Sequence, residues 1–359
     1  MAFITFQPSD YFNTVLWSGN GSAGRNITGV GFQPDWVWVK NRSRNSNHTI
    51  VDVNRQSGTY PLSSSSSSAQ DTDTNQVSAL ISDGFTVGSS TNTNANGENL
   101  VAWNWKAGGS GSSNSDGSIT STVSVNTTAG FSIVKWTANT SSAVTVGHGL
   151  GTAPKMIIQK AIDTSSGWIA GGFGLDWSGY MTLSGTQAFN NDSNDSSGTG
   201  RFFSAGGTEP SSTIFSTNSG ALVGSATDVI AYCFAEKKGF SKFGTYAGTS
   251  NANGPFIYTG FKPAFVLGKK YFGTTGGSGA GDYWEVHDNK RNTFNPVDKR
   301  LYPNANDDED TRDNMDFFSN GFKIRTASGE WNEADNNYLY MAFAEHPVVA
   351  SNGDPGTAR

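Results

Sequence analysis

Residues 31–40 of the chain read GFQPDWVWVK, and the same pattern returns at residues 149–160 (GLGTAPKMIIQK) and 260–269 (GFKPAFVLGK). Each copy has a glycine, an apolar residue, a proline, a short apolar run and a lysine six places after the proline. The repeated positions are Pro34, Lys40, Pro154, Lys160, Pro263 and Lys269. The prolines lie 120 and 109 residues apart, which is the length of a small domain and too long for a solenoid repeat. The sequence therefore predicts three copies of one module.

The apolar run inside this pattern lacks the polar alternation of a half-exposed strand. In the first copy it covers residues 36–39 and is bounded by a proline and a lysine. We therefore predict a strand that is buried on both faces or lodged between two sheets. An apolar closing strand also recurs, at residues 100–105, 229–236 and 338–345.

The composition favours many short strands. Of the 359 residues, 44 are glycine, 12% are aromatic and only 15% are charged, whereas about a quarter of an average domain is charged. Bulky aromatic residues between glycine-rich polar turns are typical of β-structure. Residues 305–318 leave room for one short helix. We predict an all-β chain of three tandem antiparallel β-sandwich domains, jelly-roll-like, with an immunoglobulin-like sandwich as the alternative.

The module boundaries follow from the repeat and from one polar stretch. We expect module 1 with an N-terminal arm at residues 1–108, module 2 at 118–238, module 3 at 239–349 and a flexible tail at 350–359. Residues 109–117 are almost all small or polar, which predicts a flexible linker. Modules 2 and 3 have no such spacer between them. The sequence therefore predicts a hinge between modules 1 and 2 and a tight junction between modules 2 and 3.

Charge and cysteine content exclude several classes of protein. The net charge is −6 and no basic face is visible, so we expect no nucleic-acid partner. The single cysteine, Cys233, cannot form a disulfide within the chain. No apolar run approaches the roughly 18 residues of a membrane span, and residues 1–6 lack the features of a signal peptide. We expect a soluble protein made in a cytoplasm, without membrane insertion.

No catalytic constellation stands out. The four histidines (His48, His148, His287 and His346) occupy four different settings. Asp52 lies near His48 and Asp288 lies near His287, but no nucleophile recurs beside these two pairs. Phosphate-loop, Gly-x-Ser-x-Gly and metalloprotease signatures are missing from the sequence. We predict a protein without catalytic activity and without a cofactor.

One acidic stretch is a candidate for calcium. Asp307, Asp308 and Asp310 supply the oxygen ligands that Ca²⁺ prefers. The stretch lacks the ligand spacing and the glycine of a calcium loop, so a solvated loop is the alternative and no metal is predicted. The polar stretch at residues 191–195 is interpreted in the same way.

Two tryptophans of module 3 are candidates for glycan binding. Trp284 and Trp331 lie in polar, glycine-rich surroundings, where an indole ring can stack on a sugar. The alternative is that both indoles fill the sandwich. Nearby carboxylates, Glu285 among them, leave open a glycan-cleaving module as well.

The repeated lysine at the end of the pattern also invites a role. Lys40, Lys160 and Lys269 have possible acidic partners in Asp52, Asp176 and Asp288. A salt bridge or a snorkelling side chain is the ordinary interpretation, and an isopeptide cross-link is the sharper one.

Several segments resemble a family of bacteriophage virion proteins from marine and other environmental phages. They are residues 6–14 (FQPSDYFNT), 31–43 (GFQPDWVWVKNRS), 47–52 (NHTIVD), 82–88 (SDGFTVG), 101–108 (VAWNWKAG) and 338–345 (YLYMAFAE). The similarity is looser in module 2, where Lys155 follows the proline in place of Asp35. The family brings no catalytic residues to transfer.

This resemblance implies a non-enzymatic structural component of a virion, namely a tail fibre or other peripheral appendage with a role in attachment to host-surface glycan. It implies other virion proteins as partners, homo-oligomers (usually trimers), and a protein made in the host cytoplasm and released by lysis. A capsid-decorating or head-fibre protein is one alternative. A carbohydrate-binding or glycan-cleaving module is the other, because folds of this kind host many functions.

Overall fold

The computed structural model describes residues 7–55, 58–138, 143–191, 203, 209–218, 227–273 and 282–345. Within these ranges the chain forms 25 β-strands, a 3₁₀ turn at Pro8–Asp10 and one short helix, α1 (Thr91–Asn94). The start of the N-terminal arm (1–6), the tail (350–359) and His346 lie outside the described residues.

Module 1 is a sandwich of a four-stranded and a three-stranded antiparallel sheet, ordered β1-β7-β3-β4 and β2-β6-β5. Its strands are β1 (Phe12–Ser18), β2 (Arg25–Thr28), β3 (Trp36–Asn41), β4 (Thr49–Asp52), β5 (Val77–Ile81), β6 (Gly84–Val87) and β7 (Asn99–Trp105). The turn into β6 requires glycine, because Gly84 has φ 146° and a Cβ there would lie 2.0 Å from the carbonyl oxygen of Ile27.

Module 2 contributes ten strands: β8 (Ser112–Asn114), β9 (Ser121–Asn126), β10 (Phe131–Ala138), β11 (Val144–Gly147), β12 (Met156–Ala161), β13 (Ile169–Gly172), β14 (Gly179–Thr182), β15 (Asn190–Asn191), β16 (Ile214–Thr217) and β17 (Thr227–Phe234). Eight of them form one sheet, ordered β15-β14-β13-β12-β17-β10-β9-β8, and β11 pairs with β16.

Module 3 has two four-stranded sheets, ordered β18-β25-β20-β21 and β19-β24-β23-β22. Its strands are β18 (Ser241–Ala247), β19 (Phe256–Tyr258), β20 (Pro263–Gly273), β21 (Glu285–Asp288), β22 (Val297–Arg300), β23 (Asp310–Phe318), β24 (Gly321–Ile324) and β25 (Asn336–Ala344). The helix allowed for residues 305–318 is wrong. Asp310–Phe318 is strand, because Met315 and Phe317 alternate into the sandwich core while Asp316 and Phe318 do not.

The repeat is confirmed by topology. In each module the first strand pairs with the last, the last with the second and the second with the third, giving β1-β7-β3-β4, β10-β17-β12-β13 and β18-β25-β20-β21. We call these three four-strand units the inner sheets and the sheets that face them the outer sheets. The all-β sandwich fold predicted from the sequence is therefore observed.

The repeated pattern forms the second strand of each inner sheet. Trp36 and Trp38 of β3 point into one hydrophobic cluster, whereas Val37 and Val39 point into another. The whole strand is buried. One face of the strand packs on the outer sheet of its own module, and the other packs on the neighbouring modules. The predicted burial on both faces is confirmed.

The three inner sheets face one another around a shared aromatic core. Ring centroids of Trp36 in module 1 and Tyr232 in module 2 lie 4.6 Å apart. Those of Phe234 and Phe343, in modules 2 and 3, lie 5.9 Å apart, and Trp103 of module 1 lies 5.8 Å from Phe265 of module 3. Each module therefore contacts both others, and the chain closes into what we call the three-module ring.

This arrangement overturns the expectation of a flexible linker and a hinge. Ser112–Asn114 of the glycine- and serine-rich stretch is strand β8, which pairs with β9 at the edge of the module 2 sheet. The glycines of this stretch allow close packing, since a Cβ at Gly117 would lie 2.2 Å from the carbonyl oxygen of Thr145. Modules 1 and 2 are joined by core contacts as well as by the chain.

Candidate functional site

The three repeated lysines are buried and bound to carbonyl oxygens. The Lys40 ammonium donates to the carbonyl oxygens of Asn41 (2.8 Å), Arg44 (3.3 Å) and Asn306 (3.3 Å). Lys160 donates to the carbonyl oxygens of Ala161 and Thr164 and to Ser166 Oγ. Burial lowers the pKa of each lysine to about 8.

Lys269 donates to Thr186 and Asp282 through their backbone oxygens. The contacts from Lys40 to Asn306 and from Lys269 to Thr186 each reach into a neighbouring module. The expected partners are engaged elsewhere: Asp52 and Asp288 bind arginines, and Asp176 Oδ1 accepts from the backbone N–H of Ser178. The salt-bridge and isopeptide interpretations of the lysines are therefore wrong, because backbone carbonyl groups satisfy the ammonium.

Two buried aspartates connect the modules. Asp52 Oδ2 accepts from Arg55 Nε (2.6 Å) in its own module and from Tyr232 Oη (2.7 Å) in module 2. Asp288 Oδ2 likewise accepts from Arg291 Nε (2.6 Å) and from Trp103 Nε1 (3.0 Å) of module 1. Burial alone would raise the pKa of Asp288, but the Arg291 guanidinium more than offsets it, so that pKa is lowered. Both carboxylates therefore hold modules together through buried hydrogen bonds.

A second set of contacts runs around the whole ring. Three ring-bearing residues occupy the same position in the three modules: His48, Trp168 and Trp284. Each directly precedes the third strand of its inner sheet, which is β4, β13 or β21. Trp168 Nε1 donates to the carbonyl oxygen of Ser63 (2.7 Å) in module 1, and Trp284 Nε1 donates to that of Thr182 (2.9 Å) in module 2. His48 Nδ1 accepts from Trp38 Nε1, so its Nε2–H donates to the carbonyl oxygen of Tyr302 (2.9 Å) in module 3. One ring N–H of this set therefore crosses each of the three interfaces.

Both glycan-binding candidates are buried. Trp284 packs against Phe173 of module 2, and Trp331 Nε1 donates to Glu285 Oε2 at 2.5 Å inside module 3. Neither indole presents a ring face to solvent. The prediction that Trp284 and Trp331 stack on a sugar is therefore wrong, and the alternative that they fill the core describes both.

Module 3 also encloses a polar cluster. Glu285 Oε1 accepts from Arg300 NH1 (2.8 Å), and Glu285 Oε2 accepts from Trp331 Nε1 and from Asn314 Nδ2 (3.1 Å). His287 Nε2 lies 3.4 Å from the same oxygen, and burial lowers the pKa of this imidazole. The carboxylate and the histidine are buried. This closed network has the geometry of a stabilising hydrogen-bond cluster rather than of an acid–base pair open to substrate.

Arginines pair with Glu309 and Asp310 of the acidic stretch. Glu309 accepts from Arg42 of module 1 in a two-bond pair (2.7 and 2.8 Å) and from Arg291 NH1 (3.2 Å). Asp310 accepts from Arg300 NH2 (2.7 Å). Throughout the described ranges, no three His, Cys, Asp or Glu side chains come together as a metal site. Asp307, Asp308 and Asp310 therefore form no clustered calcium site, and residues 192–195 of the other polar stretch lie outside the described residues.

A polar cleft of about 220 Å³ opens in module 1. Its lining includes Asn47, His48, Asp71, Gln76 and Asn92. The His48 ring is committed to the contact between modules 1 and 3, and the volume is below the roughly 300–1,000 Å³ of ordinary ligand sites. The cleft is therefore a weak candidate for a binding site.

The outer sheet of module 3 carries an exposed aromatic face, which we define as Phe256, Tyr258, Phe294 and Phe318. Their exposed fractions are 43%, 65%, 85% and 37%. The centroids of Phe256 and Phe318 lie 6.0 Å apart, edge to face. Asn295 exchanges two hydrogen bonds with the backbone of Phe317, which holds Phe294 at the same end of β23. Exposed apolar clusters of this kind mark interaction sites.

Strand register explains how this face is assembled. Tyr258 and Phe318 both pair with Gly321, one on each side, in β19 and β23. A Cβ at Gly321 would lie 2.8 Å from Phe256 Cζ, so glycine makes room for that ring. The next row holds Phe256, Lys323 and Asp316, and Arg325 Nε lies 3.3 Å from Asp316 Oδ2. The residues of this face were not predicted from the sequence.

The model of one family, described as Domain of unknown function (DUF7483), matches residues 7–347. The chain belongs to this family. Because the match spans all three modules, the unit that DUF7483 describes is the three-module ring and not a single sandwich. No curated protein and no solved structure matches the chain. Among the residues described, no helix is long and apolar enough to cross a membrane.

Proposed function

We propose that the chain is a non-enzymatic structural component of a bacteriophage virion, in a tail fibre or another peripheral appendage that contacts host-surface glycan. The observation that carries this proposal is the use of its polar side chains. Asp52 and Asp288, which sequence reasoning considered for acid–base chemistry, are bonded across module interfaces instead, and so is Glu309 of the acidic stretch. A chain whose buried charged side chains join its modules is suited to a rigid structural role.

The resemblance of residues 6–14, 31–43 and 101–108 to phage virion proteins supplies the biological setting of the proposal. The ring supports it physically, because three sandwiches with a common core make a stiff block without disulfides or metals. Other virion proteins are the partners that such a block requires. A glycan-cleaving role is less well supported, since Glu285 and Asp288 are buried and hydrogen-bonded.

The test is proteomics of purified particles of the phage that encodes the chain. We expect its peptides in particles banded on a density gradient, at a copy number comparable to that of known appendage proteins. Their absence from intact particles would remove the proposal. Electron microscopy with an antibody to the chain then separates a tail appendage from a capsid decoration by the position of the label. Release of reducing sugar from host polysaccharide by the purified chain would contradict the non-enzymatic assignment.

A further inference from the structure

We propose that the aromatic face of module 3 is a binding site for the pyranose units of a bacterial surface polysaccharide. The inference rests on the proposed function, because it names the surface and the ligand class through which an appendage of this kind attaches. The aromatic face replaces Trp284 and Trp331, which are buried, as the surface that contacts glycan.

The chemistry of the face suits a sugar ring. The flat side of a pyranose presents C–H bonds with partial positive charge, and the face of an aromatic ring carries partial negative charge. Tyr258 and Phe318 flank Gly321 in one row, with Phe256 lying over the glycine, so three rings form a continuous shallow platform. A platform without a deep pocket accepts an internal unit of a long chain as readily as a terminal unit.

Polar side chains that can form hydrogen bonds with sugar hydroxyl groups lie beside the aromatic rings. Asp316 and Lys323 pair in the row next to Gly321, and Arg325, which directly follows the end of β24, reaches Asp316. The carboxylate accepts and the two cations donate, which provides both kinds of hydrogen bond beside the rings. The arrangement combines apolar stacking with a polar border, as sites for amphipathic ligands do.

The size of the face argues against a protein partner. With 150–250 Å² for a whole aromatic side chain, the four exposed fractions amount to on the order of 400 Å². A stable protein interface buries about 800 Å² on each partner. The face is therefore too small to hold a second copy of the chain or a folded protein by itself, and it is large enough for two or three sugar units.

Module 1 supplies a matched control within the same chain. In its outer sheet the residues opposite the corresponding turn glycine, Gly84, are Thr28 and Ile81, and the residue corresponding to Phe256 is Asn26. Phe256→Asn with Tyr258→Thr therefore places the surface of module 1 on module 3 at positions where the fold already tolerates it. Leu16→Asn removes an exposed apolar side chain from a different face and serves as the second control.

The experiment applies the full-length chain to a microarray of bacterial lipopolysaccharide and capsular polysaccharides, followed by biolayer interferometry on the polysaccharides that bind. We expect the wild type and Leu16→Asn to bind alike. Phe256→Asn/Tyr258→Thr should lose affinity on the order of tenfold or more, with an unchanged melting temperature. No binding by the wild type, or equal binding by the double variant, overturns the inference.

Light scattering on the same samples decides the remaining alternative. If the wild type self-associates and the double variant is a 38.0 kDa monomer, the face is a contact between copies and the glycan assignment fails. Failure here is distinct from failure of the proposed function. A chain that is present in particles but binds no glycan contradicts only the inference, whereas a chain that binds glycan but is absent from particles contradicts only the virion role.

Discussion

Tyr232 Oη donates a hydrogen bond of 2.7 Å to Asp52 Oδ2 across the interface between modules 2 and 1, and both side chains are fully buried. Trp103 and Asp288 form the equivalent contact between modules 1 and 3, since strand register places Trp103 and Tyr232 at matching positions. At the third interface the corresponding positions hold Gly172 and Met341. Donor and acceptor are lost together there, so neither is left buried without a partner.

The first prediction concerns this hydrogen bond. Tyr232→Phe removes the donor while Asp52 keeps Arg55, so the free energy of unfolding should fall by about 1–3 kcal/mol. Asp52→Asn should cost more, about 3–5 kcal/mol, because it leaves the buried Arg55 guanidinium without its counter-charge. Urea unfolding measures both. Tyr258→Phe, at an exposed tyrosine, is the control and should stay within about 0.5 kcal/mol of the wild type.

The sequence predicted the modules well because the repeat was carried by core residues. The unbroken apolar run at residues 36–39 indicated a strand covered on both sides, and the structure supplies both covers. The apolar run could not indicate that one face of this strand packs on another module. The Trp36–Tyr232 contact joins residues 196 positions apart along the chain, and no local pattern records such a distance.

The candidate site was predicted less well, for a physical reason. Trp284 and Trp331 have polar neighbours in sequence, which suggested exposure, but their indole N–H groups have buried acceptors. Because the three modules pack against one another, polar residues near a tryptophan can be buried with it, so they do not show that the indole is exposed. Conversely, Phe256, Ile257 and Tyr258 are three apolar residues in a row, so the sequence lacks the alternation of a half-exposed strand, although only Ile257 is buried.

The second prediction concerns backbone geometry in module 2. Gly172 has φ 100°, and a Cβ there would lie 2.2 Å from the carbonyl oxygen of Lys155. Gly174 has φ 84° with open space around it. Gly174→Ala should therefore cost about 1 kcal/mol for its φ alone, whereas Gly172→Ala should cost clearly more because the backbone must also move. Thermal unfolding of the two variants compares them, and equal losses would contradict the steric account.

The third prediction concerns pH and Lys160. Its folded pKa of about 8 lies below the ordinary value of 10.5 because of burial, with Arg55 as a further cause. Between these two values the unfolded chain binds more protons than the folded chain, so this lysine makes stability rise with pH in that window. The unfolding free energy of the wild type relative to Lys160→Met should rise by up to about 1.4 kcal/mol per pH unit from pH 8 to 10.

Chemical denaturation of both proteins at matched pH values measures this difference. Below pH 7 the lysine is protonated in both states, so the difference between the two proteins should be constant there. Subtracting the variant also removes the opposing effect of Cys233 and of the buried tyrosines, whose pKa values burial raises. A difference that is flat from pH 7 to 10 would show that the carbonyl oxygens hold the ammonium without loss of basicity.

The fourth prediction concerns the pair between modules 1 and 3. Burial alone would raise the pKa of Glu309, but Arg42 and Arg291 more than offset it, so the folded value lies below the ordinary 4.5. The stability from this pair is therefore present above about pH 4.5 and is lost as the pH falls through the folded value. At pH 7, Glu309→Gln should cost about 2–4 kcal/mol, because two arginines lose a shared, largely buried partner.

Urea unfolding at pH 7 and at pH 3 tests this prediction. The gap between wild type and Glu309→Gln should narrow at the lower pH, since protonation then removes the same charge from the wild type. Asp316→Asn is the matched control, because its pair with Arg325 lies within module 3 and the arginine is half exposed. That variant should cost less than about 1 kcal/mol at either pH. If both substitutions cost the same, the Arg42–Glu309 pair does not hold module 1 against module 3.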